Sequence, residues 1–302
     1  MNVLSGKGLG LSVLSSVLFA LMPVYFAWLA PLDGLQVVAL RVVWSLPMVL
    51  LLVVLLREGR ALWATLKRLV REPRLCLAIP AAALLMGIQW WVFVWATMNG
   101  EAMAMSLGYF LLPLAIVLTG RLVYGERLRP LQQVAVVCAL LGVVNEVWVT
   151  GALSWVSLLP VVGYPPYFVL RRWMAVDALS GFVLEMCCLL PFALLALHWS
   201  SPGAILQQTP WLWALLPGLG LLSAIAFAAM LASSRMLPLS LFGILSYVEP
   251  ALLVFVALYV LGEQLPEGAI WTYGPIWLAV AWVCLDSARL LRKQLRRAPV
   301  AP

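Results

Sequence analysis

Three charged residues stand inside long apolar runs: Arg41 in VVALRVVWSLP, Glu185 in FVLEMCCLLP and Glu249 in SYVEPALL. A charge in the centre of hydrocarbon costs about 2.5–3.5 kcal/mol, so each needs a partner or a task. Arg41 can anchor a carboxylate or another anionic group; its alternatives are a structural ion pair or a side chain snorkelling to an interface. Glu185 can pair with Arg41, hold a cationic group or take up a proton, with a solvated helix-end carboxylate as the alternative. Glu249 precedes Pro250, which lacks an amide hydrogen, frees a carbonyl and permits a kink beside the acid. It is the best single candidate for a proton or cation site, against the alternative of a carboxylate that only satisfies donors in a packed cluster. Glu146, next to Asn145 near the end of its run, reads as interfacial.

Aromatic residues supply possible walls for a site. Gln89, Trp90, Trp91, Phe93 and Trp95 lie on one segment, Tyr109 and Phe110 on the next, and Tyr247 stands two residues before Glu249. Gln89, Trp91, Trp95, Tyr109 and Tyr247 join the three charges as candidates for substrate binding or coupling. The competing reading of the tryptophans is an interfacial belt or packing against lipid. Hydrolytic chemistry has little support. The single histidine, His198, closes an apolar run, and neither an HExxH word nor a pair of acids occurs. The five cysteines lie in apolar segments without ligand-type spacing and are expected to pack as small hydrophobes, so no metal or cofactor is expected.

The elements that position these residues follow from composition. Of 302 residues, 65% are hydrophobic and 10% charged, too few charges to cover a water-facing surface. Apolar runs of about twenty residues, enough to cross roughly 30 Å of hydrocarbon, repeat throughout. They predict an all-α membrane protein with ten spans near 8–30, 34–56, 75–98, 102–123, 130–149, 154–172, 180–198, 211–233, 239–261 and 268–288. With the amino terminus inside, 18 of the 19 basic residues fall on the cytoplasmic side, and Arg41 is the exception. Merging spans at any weak break would scatter basic loops over both faces. The net charge of +7 therefore reads as membrane orientation and not as nucleic-acid binding.

Pro113 and Gly125-Glu126 recur as Pro250 and Gly262-Glu263, with eleven residues between proline and glycine in both places. A looser match sets Arg41 and Pro47 opposite Glu185 and Pro191. The pattern predicts two five-helix repeats, 1–150 and 151–302. Five is odd, so the second is inverted relative to the first, as in many secondary transporters. Glu126 and Glu263 close their helices, where a carboxylate opposes the helix dipole. They are expected to tie one helix end to a neighbour and to stay outside the substrate site.

The words ALRVVWS at 39–45, QWWVFVWATMN at 89–99, SLGYFLLPL at 106–114 and YGERL at 124–128, with the Pro…Gly-Glu repeat, resemble the EamA family of the drug/metabolite transporter superfamily. The resemblance implies a multi-pass permease of the bacterial inner membrane, monomeric or homodimeric, acting on a small molecule. A secondary carrier exporting small metabolites or drugs by alternating access, with proton exchange as a possible coupling, is the leading function. A membrane scaffold or sensor without flux is the alternative, followed by an intramembrane enzyme. With both termini cytoplasmic, a green fluorescent protein fused after Pro302 is expected to fluoresce, and an alkaline phosphatase fused there to stay inactive. The opposite pair of results would refute the orientation.

Overall fold

The computed structural model describes residues 5–98, 102–150, 154–252 and 268–295. Their regular structure is helical, with no strand among them. The helices are α1 (Gly6–Trp28), α2 (Gly34–Leu55), α3 (Gly59–Arg71), α4 (Pro73–Met98), α5 (Ala102–Tyr124), α6 (Pro130–Thr150), α7 (Trp155–Met174), α8 (Ala178–Ser200), α9 (Gly203–Gln208), α10 (Leu212–Met236), α11 (Leu239–Leu245) and α12 (Ala269–Leu295). Their starts are encoded locally. Asp33 and Ser154 form capping boxes with Gln36 and Ser157, and the Asp177 carboxylate accepts from the amide of Ser180.

Among the described residues, six helices are long and apolar enough to cross a membrane: Gly6–Trp28, Gly34–Leu55, Pro73–Phe93, Pro130–Val149, Ala178–Ser200 and Leu212–Met236. Gly108–Tyr124, Ile270–Asp286 and the turn-interrupted stretch Leu239–Leu252 are shorter apolar segments. The exterior of the bundle is largely apolar, and its mostly apolar interior also encloses charged side chains. Trp148 is 86% exposed, whereas Arg171 is 1% exposed and Glu185 fully buried. Lipid, which is as apolar as leucine, is the surrounding consistent with that surface.

Two elements depart from the sequence reading. The segment between spans two and three contains α3, an amphipathic helix that places Leu62, Leu66 and Leu69 against the core. Span nine is not a single helix. α11 ends at Leu245, a turn occupies 246–247, and the helix resumes at 248–252, so Glu249 and Pro250 begin a new helical segment. The cysteines divide. Cys76, Cys187 and Cys284 are exposed, whereas Cys138 and Cys188 are half-buried and pack against the core as small hydrophobes.

α2 packs along α8 and α10, α1 along α10, α4 along α7 and α8, α5 along α7 and α11, and α6 along α12. The Gln36 side-chain amide donates to the carbonyl of Ser200 at 3.0 Å, which joins the start of α2 to the end of α8 and makes the two antiparallel. At the opposite end of the bundle, Ser5, the α5–α6 connection, Arg172 and the α10–α11 turn surround one cleft. Arg68 and Asp286 reach neighbours at the same end.

The approach of α5 to α7 depends on Gly108. A methyl group there would stand 2.6 Å from the Ser157 carbonyl oxygen and 3.0 Å from the Ser157 Cα, both backbone atoms. Small residues at such crossings let helices approach in a membrane. Gly108→Ala is expected to cost about 1–3 kcal/mol through overpacking, read as a lower thermal midpoint of the purified protein. An unchanged midpoint would contradict the tight crossing.

Candidate functional site

Arg41, on the eighth residue of α2, is 7% exposed and surrounded mainly by aromatic rings. Its guanidinium lies 4.2 Å from the ring centre of Trp90 on α4, 5.5 Å from Phe227 on α10 and 5.8 Å from Phe26 on α1. Nε donates to Ser223 Oγ at 2.8 Å and Nη2 to Met22 Sδ at 3.0 Å, a weak acceptor. Arg41 forms no ion pair among the described residues. Tyr109, Tyr164 and Glu249 are close enough to act on its charge, and the two tyrosines are linked through their hydroxyls. Tyr109 and Glu249 stay half-buried within this surrounding. The arrangement is a cation held by π-faces, with its nearest carboxylate at a distance. It can receive an anionic group on the guanidinium and an apolar or aromatic body against the rings.

Glu185 belongs to a separate cluster. Its Oε1 lies 3.3 Å from Arg171 Nη1, and its Oε2 accepts from the Tyr167 hydroxyl at 3.0 Å. Arg171 Nη2 donates to the carbonyl of Ala178 at 3.1 Å. Arg41 and Glu185 therefore do not pair. Arg171 was read from sequence as one of the orienting surface charges. Instead its side chain turns inward, while that of Arg172, about 100° further round the helix, stays at the end of the bundle. A polar stripe of Tyr164, Tyr167 and Arg171 on one face of α7 was the available signal.

The remaining candidates divide. Gln89 is buried at the α4–α7 contact, where Nε2 donates to the carbonyl of Leu159 at 3.3 Å. Tyr247 is buried, with its hydroxyl donating to the carbonyl of Phe110 at 3.0 Å, a lock between α5 and the α11 turn. Trp95 packs on Trp155 at 5.0 Å, and Trp91 is 48% exposed beyond it. These two tryptophans are not brought to Arg41. Phe227 and Trp90, which are, lie tilted against each other with ring centres 4.9 Å apart. The Glu146 side chain and Glu263 lie outside the described residues.

Glu126 shows what the Gly-Glu word does where it first occurs. Gly125 adopts φ of 61°, the left-handed conformation that ends a helix, and turns the chain sharply after Tyr124. The Glu126 carboxylate then accepts from the backbone amides of Leu239 and Ser240, both at 2.7 Å, capping α11 from a distant part of the sequence. Arg172 lies 3.6 Å from the same carboxylate and donates to the carbonyls of Ser234 and Leu237 at the end of α10. One ion pair thus meets the free carbonyls of α10 and the free amides of α11. Arg68 donates to the carbonyls of Met174 and Ala175, and Arg235 to that of Val176, at the end of α7.

Breaking the buried pair by Arg171→Ala leaves Glu185 as an uncompensated charge. It is expected to cost about 3–5 kcal/mol, most of it recovered in the Arg171→Met/Glu185→Leu double variant. Thermal unfolding of the three purified proteins tests this, and equal midpoints for single variant and wild type would refute the pairing.

Residues 6–145 match the EamA-like transporter family. The Chloramphenicol-sensitive protein RarD of Pseudomonas aeruginosa is 59% identical over 97% of this chain and 99% of its own. An uncharacterized transporter of Haemophilus influenzae is 35% identical over 93% and 94%. The Protein RarD of Escherichia coli is 29% identical over 95% and 97%. A protein of known crystal structure, 20% identical, superposes with a TM-score of 0.66 over 97% of this chain and 98% of its own, a likeness of fold. With relatives aligned across almost their whole length, this multi-pass chain belongs to the EamA-like transporter family of the drug/metabolite transporter superfamily, among its RarD-like members.

Proposed function

We propose that the protein is a secondary carrier that exports small amphiphilic metabolites or drugs by alternating access, with its substrate site at Arg41. The observation that carries this reading is the buried guanidinium without an ion pair among the described residues, walled by Trp90, Phe227 and Phe26. An isolated cation at that depth is costly unless it recurrently meets an anion. Tyr109 and Glu249 complete the site, and Glu249, beside Pro250 at the start of a helical segment, is the proton-exchanging group. Arg171 and Glu185 hold α7 to α8 away from the substrate.

The carrier has ten spans in two inverted halves, 1–150 and 151–302, with both termini in the cytoplasm. Helix pairing supports the inversion. α2 packs on α8, α5 on α11 and α6 on α12, each the repeat counterpart of the other, and α1 on α10 is matched by α7 on α4. Such self-pairing is the expected signature of a pseudo-twofold axis in the membrane plane. Tyr247 and Phe110, joined by a hydrogen bond, occupy equivalent positions of the repeat.

Proteoliposomes under an imposed pH gradient test the proposal with a panel of amino acids, organic acids and antibiotics. Chloramphenicol belongs to that panel because of the name its Pseudomonas relative bears. Arg41→Ala is expected to lower flux of the accepted compound at least tenfold, and Glu249→Gln to uncouple flux from the pH gradient. No flux of any compound, or wild-type behaviour in both variants, would defeat the assignment.

A further inference from the structure

The amphipathic helix α3 has two working faces. Inward, Leu62, Thr65, Leu66 and Leu69 meet the bundle, and Arg68 is taken up by Glu72 at 2.9 Å and by the end of α7. Outward, a stripe at helical spacing combines Arg60, Trp63, Lys67, Val70 and Arg71. Trp63 is 61% exposed and Val70 87% exposed, while the Lys67 ammonium lies 5.6 Å from the Trp63 ring centre. Beside it Arg74 lies 6.0 Å from the ring of Trp173, itself 54% exposed.

Neither water nor hydrocarbon suits this stripe. Water disfavours an exposed tryptophan and valine, and hydrocarbon disfavours the cations. The headgroup layer accepts both, with rings at its apolar edge and ammonium and guanidinium groups among phosphates. The depth agrees. Val54, Leu55 and Leu56, at the end of α2, are each more than 60% exposed, so the apolar exterior runs to within three residues of α3. Charge selects the kind of lipid. From Arg57 to Arg74 there are six basic residues and two acids, Glu58 and Glu72, and Glu72 is occupied by Arg68.

We infer that the outer stripe of α3, with Arg74 and Trp173, docks the headgroups of anionic phospholipids. Because Arg68 on the same helix grips the last carbonyls of α7, lipid held outside steadies the helix that carries Tyr164 and Arg171.

Native mass spectrometry of the full chain, delipidated and then exposed to phosphatidylglycerol or phosphatidylcholine, tests this. Wild type should retain phosphatidylglycerol preferentially and lose it as salt is raised. Lys67→Gln/Arg71→Gln/Arg74→Gln should weaken that retention about tenfold or more, since each basic group at a membrane surface contributes about a factor of five. Arg121→Gln/Arg127→Gln, at the exposed end of α5 and in the connection after it, away from α3, should leave it intact. Equal retention of the two lipids by wild type, insensitivity to salt, or undiminished retention by the triple variant would overturn the proposal. Should the triple variant fail to fold, lipid preference and salt dependence of the wild type decide the matter.

Discussion

Every backbone amide and carbonyl in this bundle must find a partner, because hydrocarbon supplies none. Helix interiors meet the demand by themselves; helix ends do not. At the basic end of the molecule the shortfall is met by side chains from other helices. Arg172 donates to the carbonyls closing α10, Glu126 accepts from the amides opening α11, and Arg68 and Arg235 donate to the carbonyls closing α7. Residues that would be counted as topology determinants are thus also the joinery of the bundle, and the short α11 can end inside the protein at the place where Glu249 follows.

The interior keeps two charge environments apart. At Arg171 and Glu185 opposite charges are in contact, with a tyrosine hydroxyl on the carboxylate. At Arg41 the cation faces rings, a serine hydroxyl and a thioether. A filled pair holds helices together and offers little to a ligand, whereas an unfilled one has binding energy in reserve. Residue identity alone does not distinguish these roles; the partner of each charge does.

Much of this was legible in the chain. Apolar runs locate the helices, Asp33, Ser154 and Asp177 mark their starts, and the depth of Arg41 singles it out. Legibility failed where meaning depends on direction around a helix or on distant partners. Arg171 and Arg172 are neighbours in sequence with opposite fates, and Glu126 finds its amides 113 and 114 residues away. Trp91 and Trp95 share spacing with a plausible site wall, yet Trp90, one position over, is the ring that meets Arg41. α3 was hidden for another reason, since its charges mask an apolar face that only the bundle reveals.

The bonds that cross between the first 150 residues and the rest have a consequence for how such a protein comes into being. Tyr25 donates to Leu215, Gln36 to Ser200, Arg41 to Ser223 and Tyr247 back to Phe110, while Glu126 waits for Leu239 and Ser240. A first half synthesised alone would sit in the bilayer with these groups orphaned. It would be an incomplete object seeking a complement, and the matching groups are carried by the residues that follow. A gene holding both halves guarantees that each finds its complement on the same ribosome.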